Sequence, residues 1–487
     1  MIRTPPLDLW PFAPELFLAG FGIVGMLFEA FSRRSPRPIH LAIALAGLLA
    51  ATGATLALWD YEAATATVLA DAIAVDRFSV VARLILLGVA FLGLLLGTHY
   101  FDRDPEDYRG EFYPLVLFAT SGMTLITAAA DLIVVFLALE ILSLALYVLT
   151  GITGRRHANE GAMKYFLLGA FSSAFFLYGI AMAYGATGST RIAAIANALA
   201  GTTDVRALAL LAVGFLLVGF GFKVSAAPFH MWTPDVYQGA PTPVTAYMSA
   251  ATKVAAFMAL LRVFSVALQP MQWDWVPLVA ALAAVSVVVG SVLAIAQTDV
   301  KRMLAYSSVA HAGFILTGIT AAGATGIRAA MFYLIAYAAM TVGAFGVVMI
   351  VSSRGEERTA LGSYRGLHRR DPLAAALMTV FLVSLAGLPP TAGFIAKVGV
   401  FGAAIEAGYW WLALVGVLAS VAAAYFYLRV IVLMYMQDRE GAEDEGAIDD
   451  AVLPRLAVVI PAAVVLVLGV FPGLISDLLD AASVLRW

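Results

Sequence analysis

The sequence predicts an all-α integral membrane protein of about fourteen transmembrane helices, on three observations. Hydrophobic residues fill 62% of the 487 positions and charged residues only 13%, with a mean hydropathy of +0.92. A soluble domain is nearer half apolar and about a quarter charged, so no soluble core could absorb this surplus and the bilayer must be the solvent. Apolar runs long enough to cross roughly 30 Å of hydrocarbon recur with short polar gaps. The basic residues are sorted by type between loops and spans, as described below.

Taken in order, the spans fall at about 14–32, 39–59, 77–99, 112–129, 131–151 and 161–185, then 205–229, 241–267, 275–296, 303–320 and 326–353, and finally 373–403, 408–437 and 452–474. The lead Met1–Pro14 has neither the basic region of a signal peptide nor the Arg/Ser-rich helix of a transit peptide. Insertion is therefore expected to start at the first span, as in a bacterial inner-membrane protein. The longest polar loops, Arg354–Asp371 and Gln437–Asp450, are too short for a soluble domain, and the acidic run within 441–450 reads as a solvated loop. Loops and span ends on one side collect 16 basic residues, among them Arg33, Arg34, Arg103, Arg155, Arg156, Arg369 and Arg370, against 6 on the other. The excess marks the inner side, which places both termini outside.

Net charge is −3 and cysteine is absent. There is no basic excess to suggest nucleic acid, and disulfides, thiolate zinc sites, iron–sulfur ligation and cysteine nucleophiles are excluded. Gly219-Phe220-Gly221 lies within a span and is not a nucleotide-binding turn. The sequence contains no phosphate loop, paired-histidine metal motif or nucleophile elbow. The chain is expected to bind no metal or cofactor and to perform no bond chemistry itself.

The division of basic residues points to function. The chain has 5 lysines to 24 arginines, and four of the lysines, Lys164, Lys223, Lys253 and Lys397, fall inside predicted spans. The arginines mostly flank spans; Arg83, Arg262 and Arg429 lie within them, Arg262 near an end, and Arg83 and Arg429 read as structural charges. A guanidinium stays protonated, whereas a buried ammonium can release its proton. Each lysine in a span costs on the order of 3 kcal/mol, and a proton relay is a reason to keep them. Glu140, in LALEILSLALYVLTG, is the carboxylate at the centre of a span. Paired with a lysine it would stabilise that lysine's charge, and opening the pair would free a proton. A static ion pair is the alternative.

Two spans carry prolines beside lysine: GFGFKVSAAPFHMW, with Lys223 and Pro228, and GLPPTAGFIAKVGVF, with Pro389, Pro390 and Lys397. A helix-interior proline frees backbone groups that in lipid must meet protein or water. One such break in each half of the chain fits an internal repeat with a site at each break. Lys253 lies among small residues after the first break, and Lys164 near the inner end of its span. His230 and His311 are further relay candidates, since histidine titrates near neutrality. Tyr306, Ser307 and Ser308 could hold water along the helix of His311.

These stretches, with MKYFLLGAFSSAFFLYG, KVSAAPFHMWTPDVYQGAPTPVTAYMS and TDVKRMLAYSSVAHAGF, resemble the antiporter-like subunits of respiratory NADH–quinone oxidoreductase, complex I, over essentially the whole chain. The resemblance implies two inverted five-helix repeats, each with a broken helix. Repeats would occupy 112–267 and 275–437, preceded by a three-helix segment, 1–111, and followed by a C-terminal helix in 438–487. It also implies a proton path through Glu140, Lys223, Lys253 and Lys397. Lys397 separates the chain from the sibling subunit M, which has glutamate there. The lateral helix that ends the longer subunit L has no counterpart among the spans. FMN, iron–sulfur clusters and quinone are implied in partner subunits, with subunit M and small membrane subunits as neighbours. A separate cation/proton antiporter and a purely structural membrane subunit are the rival expectations.

Overall fold

The computed structural model describes residues 8–32, 37–61, 67–69, 71–102, 109–201, 205–352, 357–438 and 451–485. Arg33, Arg34, Arg103 and the acidic run 441–450 lie outside the described residues. The helices are α1 Ala13–Phe31, α2 Arg37–Ala57, α3 Arg77–Asp102, α4 Phe112–Ala128, α5 Leu132–Gly151, α6 Arg156–Thr187 and α7 Ile192–Gly201. They continue as α8 Arg206–Lys223, α9 Trp232–Gly239, α10 Thr242–Arg262, α11 Gln272–Ile295, α12 Val300–Ile319 and α13 Ala324–Val351. The last are α14 Leu367–Arg370, α15 Pro372–Ala386, α16 Ala392–Glu406, α17 Trp410–Met436, α18 Val452–Val470 and α19 Ser476–Ala482.

Every predicted span contains a helix. Among the described residues, eleven helices are long and apolar enough to cross a membrane. The other three spans are α4, only 17 residues long, α12, which carries Lys301, Arg302 and four hydroxyls, and the span divided between α15 and α16. The differences from expectation lie at the prolines. The span expected over 205–229 stops at Lys223, runs irregularly past Pro228 and resumes as α9; the one over 373–403 is interrupted at 387–391. Gly387, at φ +82, provides the left-handed turn that ends α15, a conformation that favours glycine. The amphipathic α7 and a two-residue hairpin, β1 Thr67–Val68 and β2 Ile73–Ala74, were not visible in the apolar pattern.

A local motif recurs at two helix starts. Asp131 caps α5, accepting from Ile133 N at 2.7 Å and from the Thr190 hydroxyl at 2.7 Å. Asp299 caps α12, accepting from Arg302 N at 2.9 Å and from the Thr359 hydroxyl at 2.5 Å. Leu132 N donates to Thr190 O, and Val300 N to Thr359 O. Each aspartate thus satisfies orphan N–H groups of the first helical turn while tying a later loop to it.

Every residue of α10 is buried, and α13 is nearly so; these two pack together at the centre. Outer helices turn Leu137, Leu144, Val148, Phe171 and Val421 outward, as lipid-facing surface requires. Glycines set the closest approaches. A Cβ on Gly313 of α12 would lie 2.5 Å from Val287 Cγ2 and 2.7 Å from Ala283 O of α11.

Candidate functional site

The two interrupted helices, together with α10 and α12, bring Lys223, Lys253, His311 and Lys397 into the buried middle of the bundle. Lys223 is the last residue of α8, and its Nζ donates to Ser143 Oγ of α5 at 2.7 Å and to Tyr165 OH of α6 at 3.4 Å. The break beyond it leaves the Val224 carbonyl without a helical partner. Lys253 of α10 fills that role, donating to Val224 O at 2.8 Å and to Ser308 O of α12 at 2.5 Å. At the second break Lys397 of α16 does the same, donating to Ala386 O at 2.9 Å and Leu385 O at 3.2 Å. Lys253 and Lys397 therefore meet carbonyls in the places where proline has opened the helix, and Lys223, just before the first break, meets hydroxyls of α5 and α6.

Helix α12 links the last two. Ser308 meets Lys253, His311 lies one turn on, and the ring of Phe314, another turn on, faces the Lys397 ammonium at 4.7 Å. The spacing of three residues stacks these positions on one face over a rise of about 9 Å. His311 Nδ1 is 2.8 Å from Tyr333 OH, and Nε2 is 3.3 Å from Tyr427 OH. Tyr427 also bonds Ser307, and Tyr337 OH donates to Ser308 Oγ at 2.8 Å. Of these, Ser307 and Ser308 were legible as polar positions; the tyrosines of α13 and α17 were not, because only packing turns them inward.

Other predicted residues are placed differently. Glu140 is half-buried and accepts from Ser173 Oγ of α6 at 2.5 Å. Among the described residues no ion pair joins it to Lys223. Lys164, expected inside its span, has a 41% exposed side chain and pairs with Glu160 and Asp235, both at 2.7 Å. Asp235 also pairs with Arg302 at 2.7 Å. This cluster borders a cavity of about 480 Å³ formed by the start of α6, the end of α9 and residues 357–359. The long lysine stem reaches the surface along the helix, as snorkelling allows. His230 is half-buried, 6.4 Å from the Tyr306 ring between centroids, and its Nδ1 has no hydrogen-bond partner among the described residues.

The fifth lysine reverses expectation. Lys301, read as a loop residue, has a 0% exposed side chain and pairs with Glu357 at 2.7 Å while donating to Ala240 O at 2.6 Å. Burial pushes the Glu357 carboxyl up, but Lys301 and the Thr242 N–H outweigh it and hold the carboxyl below its usual range. The span arginines are likewise tied to acids or carbonyls. Arg83 pairs with Glu15 at 2.9 Å and Arg262 with Asp76 at 2.7 Å, while Arg429 reaches the Ile295 and Gln297 carbonyls at 3.5 Å.

Residues 129–423 match the family described as NADH:quinone oxidoreductase/Mrp antiporter, transmembrane. The chain is 44% identical to NADH-quinone oxidoreductase subunit N of Trichlorobacter lovleyi, covering 96% of each chain. It is 44% identical to subunit N 1 of Herpetosiphon aurantiacus, over 98% of this chain and 97% of that one. A chain of respiratory complex I from Thermus thermophilus superposes with TM-score 0.81 and 38% identity, covering 96% of this chain and 99% of that one. A chain of the Mrp complex from Dietzia shares the fold, with TM-score 0.84 at 22% identity over 98% and 97% of the two chains.

The chain belongs to the NADH:quinone oxidoreductase/Mrp antiporter family of membrane proteins. Within it the chain is of the subunit N type, a proton-translocating, antiporter-like membrane subunit of complex I.

Proposed function

We propose that protons cross this subunit along Glu140, Lys223, Lys253, His311 and Lys397, driven by quinone reduction elsewhere in the complex. One observation carries this path: Lys223, Lys253 and Lys397 are bonded to neutral hydroxyl and carbonyl oxygens, whereas Lys164 and Lys301 are bonded to carboxylates. A neutral oxygen accepts from an amine as it does from an ammonium. These three lysines can therefore change protonation without breaking an ion pair, while a carboxylate pins its lysine in the charged form. On this reading Lys301 is an anchor and Lys164 lies at the rim of the inner cavity rather than in the relay. The buried hydroxyls of Ser225 and Thr252 have no protein partner among the described residues. They flank the step from Lys223 to Lys253, where water would complete the path. His230 stands beside the first break as a side branch.

Moving one charge against 100 mV costs about 2.3 kcal/mol, so the relay must be driven. A change at Glu140 that alters the charge balance on Lys223 is one means. The half-exposed Glu140 lies mid-span among the outward-facing Leu137, Ile141 and Leu144. A carboxylate on such a face is costly in lipid, which supports this side of α5 as the contact for the neighbouring antiporter-like subunit, M. The first repeat would run over 112–267 and the second over 275–437, supported by the recurring aspartate motif. FMN, iron–sulfur clusters and quinone belong, on this reading, to partner subunits.

The path is tested by NADH-driven proton uptake in inverted membrane vesicles carrying Lys223→Ala, with assembly followed on a native gel. Loss of uptake in an assembled complex is the expected result; normal uptake per NADH would remove Lys223 from the path. If the chain instead exchanged cations as the Mrp-like fold allows, uptake would depend on added sodium or potassium without NADH. The charge asymmetry of the loops supports both termini outside. Because the chain has no cysteine, single Leu9→Cys and Val484→Cys variants, both at exposed positions, are expected to react with an impermeant maleimide in spheroplasts. Reaction only in inverted vesicles would reverse the orientation.

A further inference from the structure

Lys223 lines a small cavity with Ser143 and Ser173, Glu140 bonds Ser173, and the two charged groups do not touch. Glu140 Oε1 accepts from Ser173 Oγ at 2.5 Å. Lys223 Nζ donates to Ser143 Oγ at 2.7 Å. Ser143 in turn donates its own proton to the Leu139 carbonyl one turn back on α5. That second bond fixes the hydroxyl rotor: its hydrogen points along the helix and its lone pair points at the lysine. Ser143 is therefore an acceptor towards Lys223, while Ser173 is a donor towards Glu140. Each charge receives a partner of the correct sense, and neither needs the other.

The space beside Lys223 is small. Ser143, Tyr147, Ser172, Ser173 and Lys223, with the apolar Leu139, Phe176 and Phe222, line a cavity of about 10 Å³, close to what a single water needs. Gly169 also lines it, and an added Cβ there would collide with the Tyr147 hydroxyl. The close approach of Tyr147 to α6 thus depends on a glycine, leaving the cavity its size.

We propose that Ser143 and Ser173 are positioning residues that hold Glu140 and Lys223 apart as an open pair, each charge solvated by its own hydroxyl, with one water between. This rests on the proton path proposed above and adds to it a defined open state. Closing the pair requires Ser143 and Ser173 to release their charges and the water to leave, so the two hydroxyls set the balance between open and closed. Without them Glu140 loses its hydroxyl partner and Lys223 keeps only the longer bond to Tyr165 OH at 3.4 Å, so a direct ion pair replaces the separated one. Lys223 is then pinned in the charged form, as Lys301 is by Glu357.

The test uses the assembled complex in inverted vesicles. Ser143→Ala with Ser173→Ala is expected to lower the rate of NADH-driven proton uptake by about tenfold, the scale of one hydrogen bond to a charged group. Ser173→Thr, which restores a hydroxyl, is expected to recover most of the rate, an effect that a packing role for the serines would not produce. Should the alanine pair fail to assemble, Ser143→Cys with Ser173→Cys keeps the volume with a weaker donor and acceptor and is expected to show the same loss. Uptake at the parent rate in the assembled serine variants, with Lys223→Ala inactive beside them, would overturn the serine bridge and leave the proton path standing. Parent-rate uptake in Lys223→Ala itself would remove the path and the bridge together.

Discussion

Lys253 donates to the carbonyls of Val224 and Ser308, whereas the equally buried Lys301 donates to Glu357. The difference is one of partner chemistry. Taking a charge out of water is expensive, and a buried cation facing a carboxylate is stable only while both are charged. A cation facing carbonyls and hydroxyls keeps the same hydrogen bonds when neutral. This separates Lys223, Lys253 and Lys397 from Lys301, Arg83 and Arg262, although the sequence places all six in or beside spans. It also makes lysine and arginine non-equivalent at the relay positions. Lys397→Arg retains a donor for the Leu385 and Ala386 carbonyls but cannot deprotonate. We expect the complex to assemble with NADH-driven proton uptake reduced by at least about tenfold, measured in vesicles and normalised to assembled enzyme. Uptake near the parent rate would mean that Lys397 need not release a proton.

At the scale of the element, the breaks in the seventh and twelfth spans and the path of α12 between them decide the site. Pro228 and Pro389-Pro390 interrupt hydrogen bonding, and each break exposes carbonyls that a lysine then occupies. Helix α12 presents Ser308, His311 and Phe314 in succession to Lys253, the tyrosines and Lys397. Its position depends on close packing against α11, where Gly313 leaves no room for a side chain. Gly313→Val would force α12 away from Val287 and the Ala283 carbonyl, which are on rigid helix. Overpacking of this kind costs typically about 1–3 kcal/mol. We expect less assembled complex and, per assembled complex, slower proton uptake, because His311 and Ser308 move with the helix. Full uptake in the assembled fraction would show that the relay tolerates displacement of α12.

Over the whole molecule, buried ion pairs join segments distant in sequence. Asp76 and Arg262 are 186 residues apart, and Lys301 reaches Glu357 across 56. Burial raises both carboxyls, but Arg262 outweighs it for Asp76 and Lys301 for Glu357, so both lie below their ordinary values of 3.8 and 4.5. A carboxyl depressed on folding contributes stability that is fully present above its ordinary value and is lost as pH falls through its folded value. We expect the thermal melting midpoint of the purified complex to hold steady above pH 4.5 with respect to these groups, and to fall below it. Asp76→Asn with Glu357→Gln is expected to flatten that acid limb; an unchanged limb would assign it to other carboxylates.

The positions of the fourteen spans, the two proline breaks and the placement of four of the five lysines within spans were legible in the sequence. Each depends on local chemistry: the length of an apolar run, the missing N–H of proline, the solvation of one side chain. Glu140 and the lysines of the proposed path were legible for the same reason, since an ionisable group in hydrocarbon stands out whatever its neighbours are. What each group bonds was not legible. That Lys164 reaches the surface, that Lys301 is buried against Glu357, and that Ser143 and Ser173 stand between Glu140 and Lys223 follow from which helices meet. Those contacts join residues tens of positions apart, and a pattern read along one helix carries no record of the helix packed against it. The sequence alone determined which ionisable residues lie within or beside the spans. Only the tertiary structure decided which are held by neutral oxygens and which by carboxylates, because the protonation freedom of a buried amine is a property of its partners.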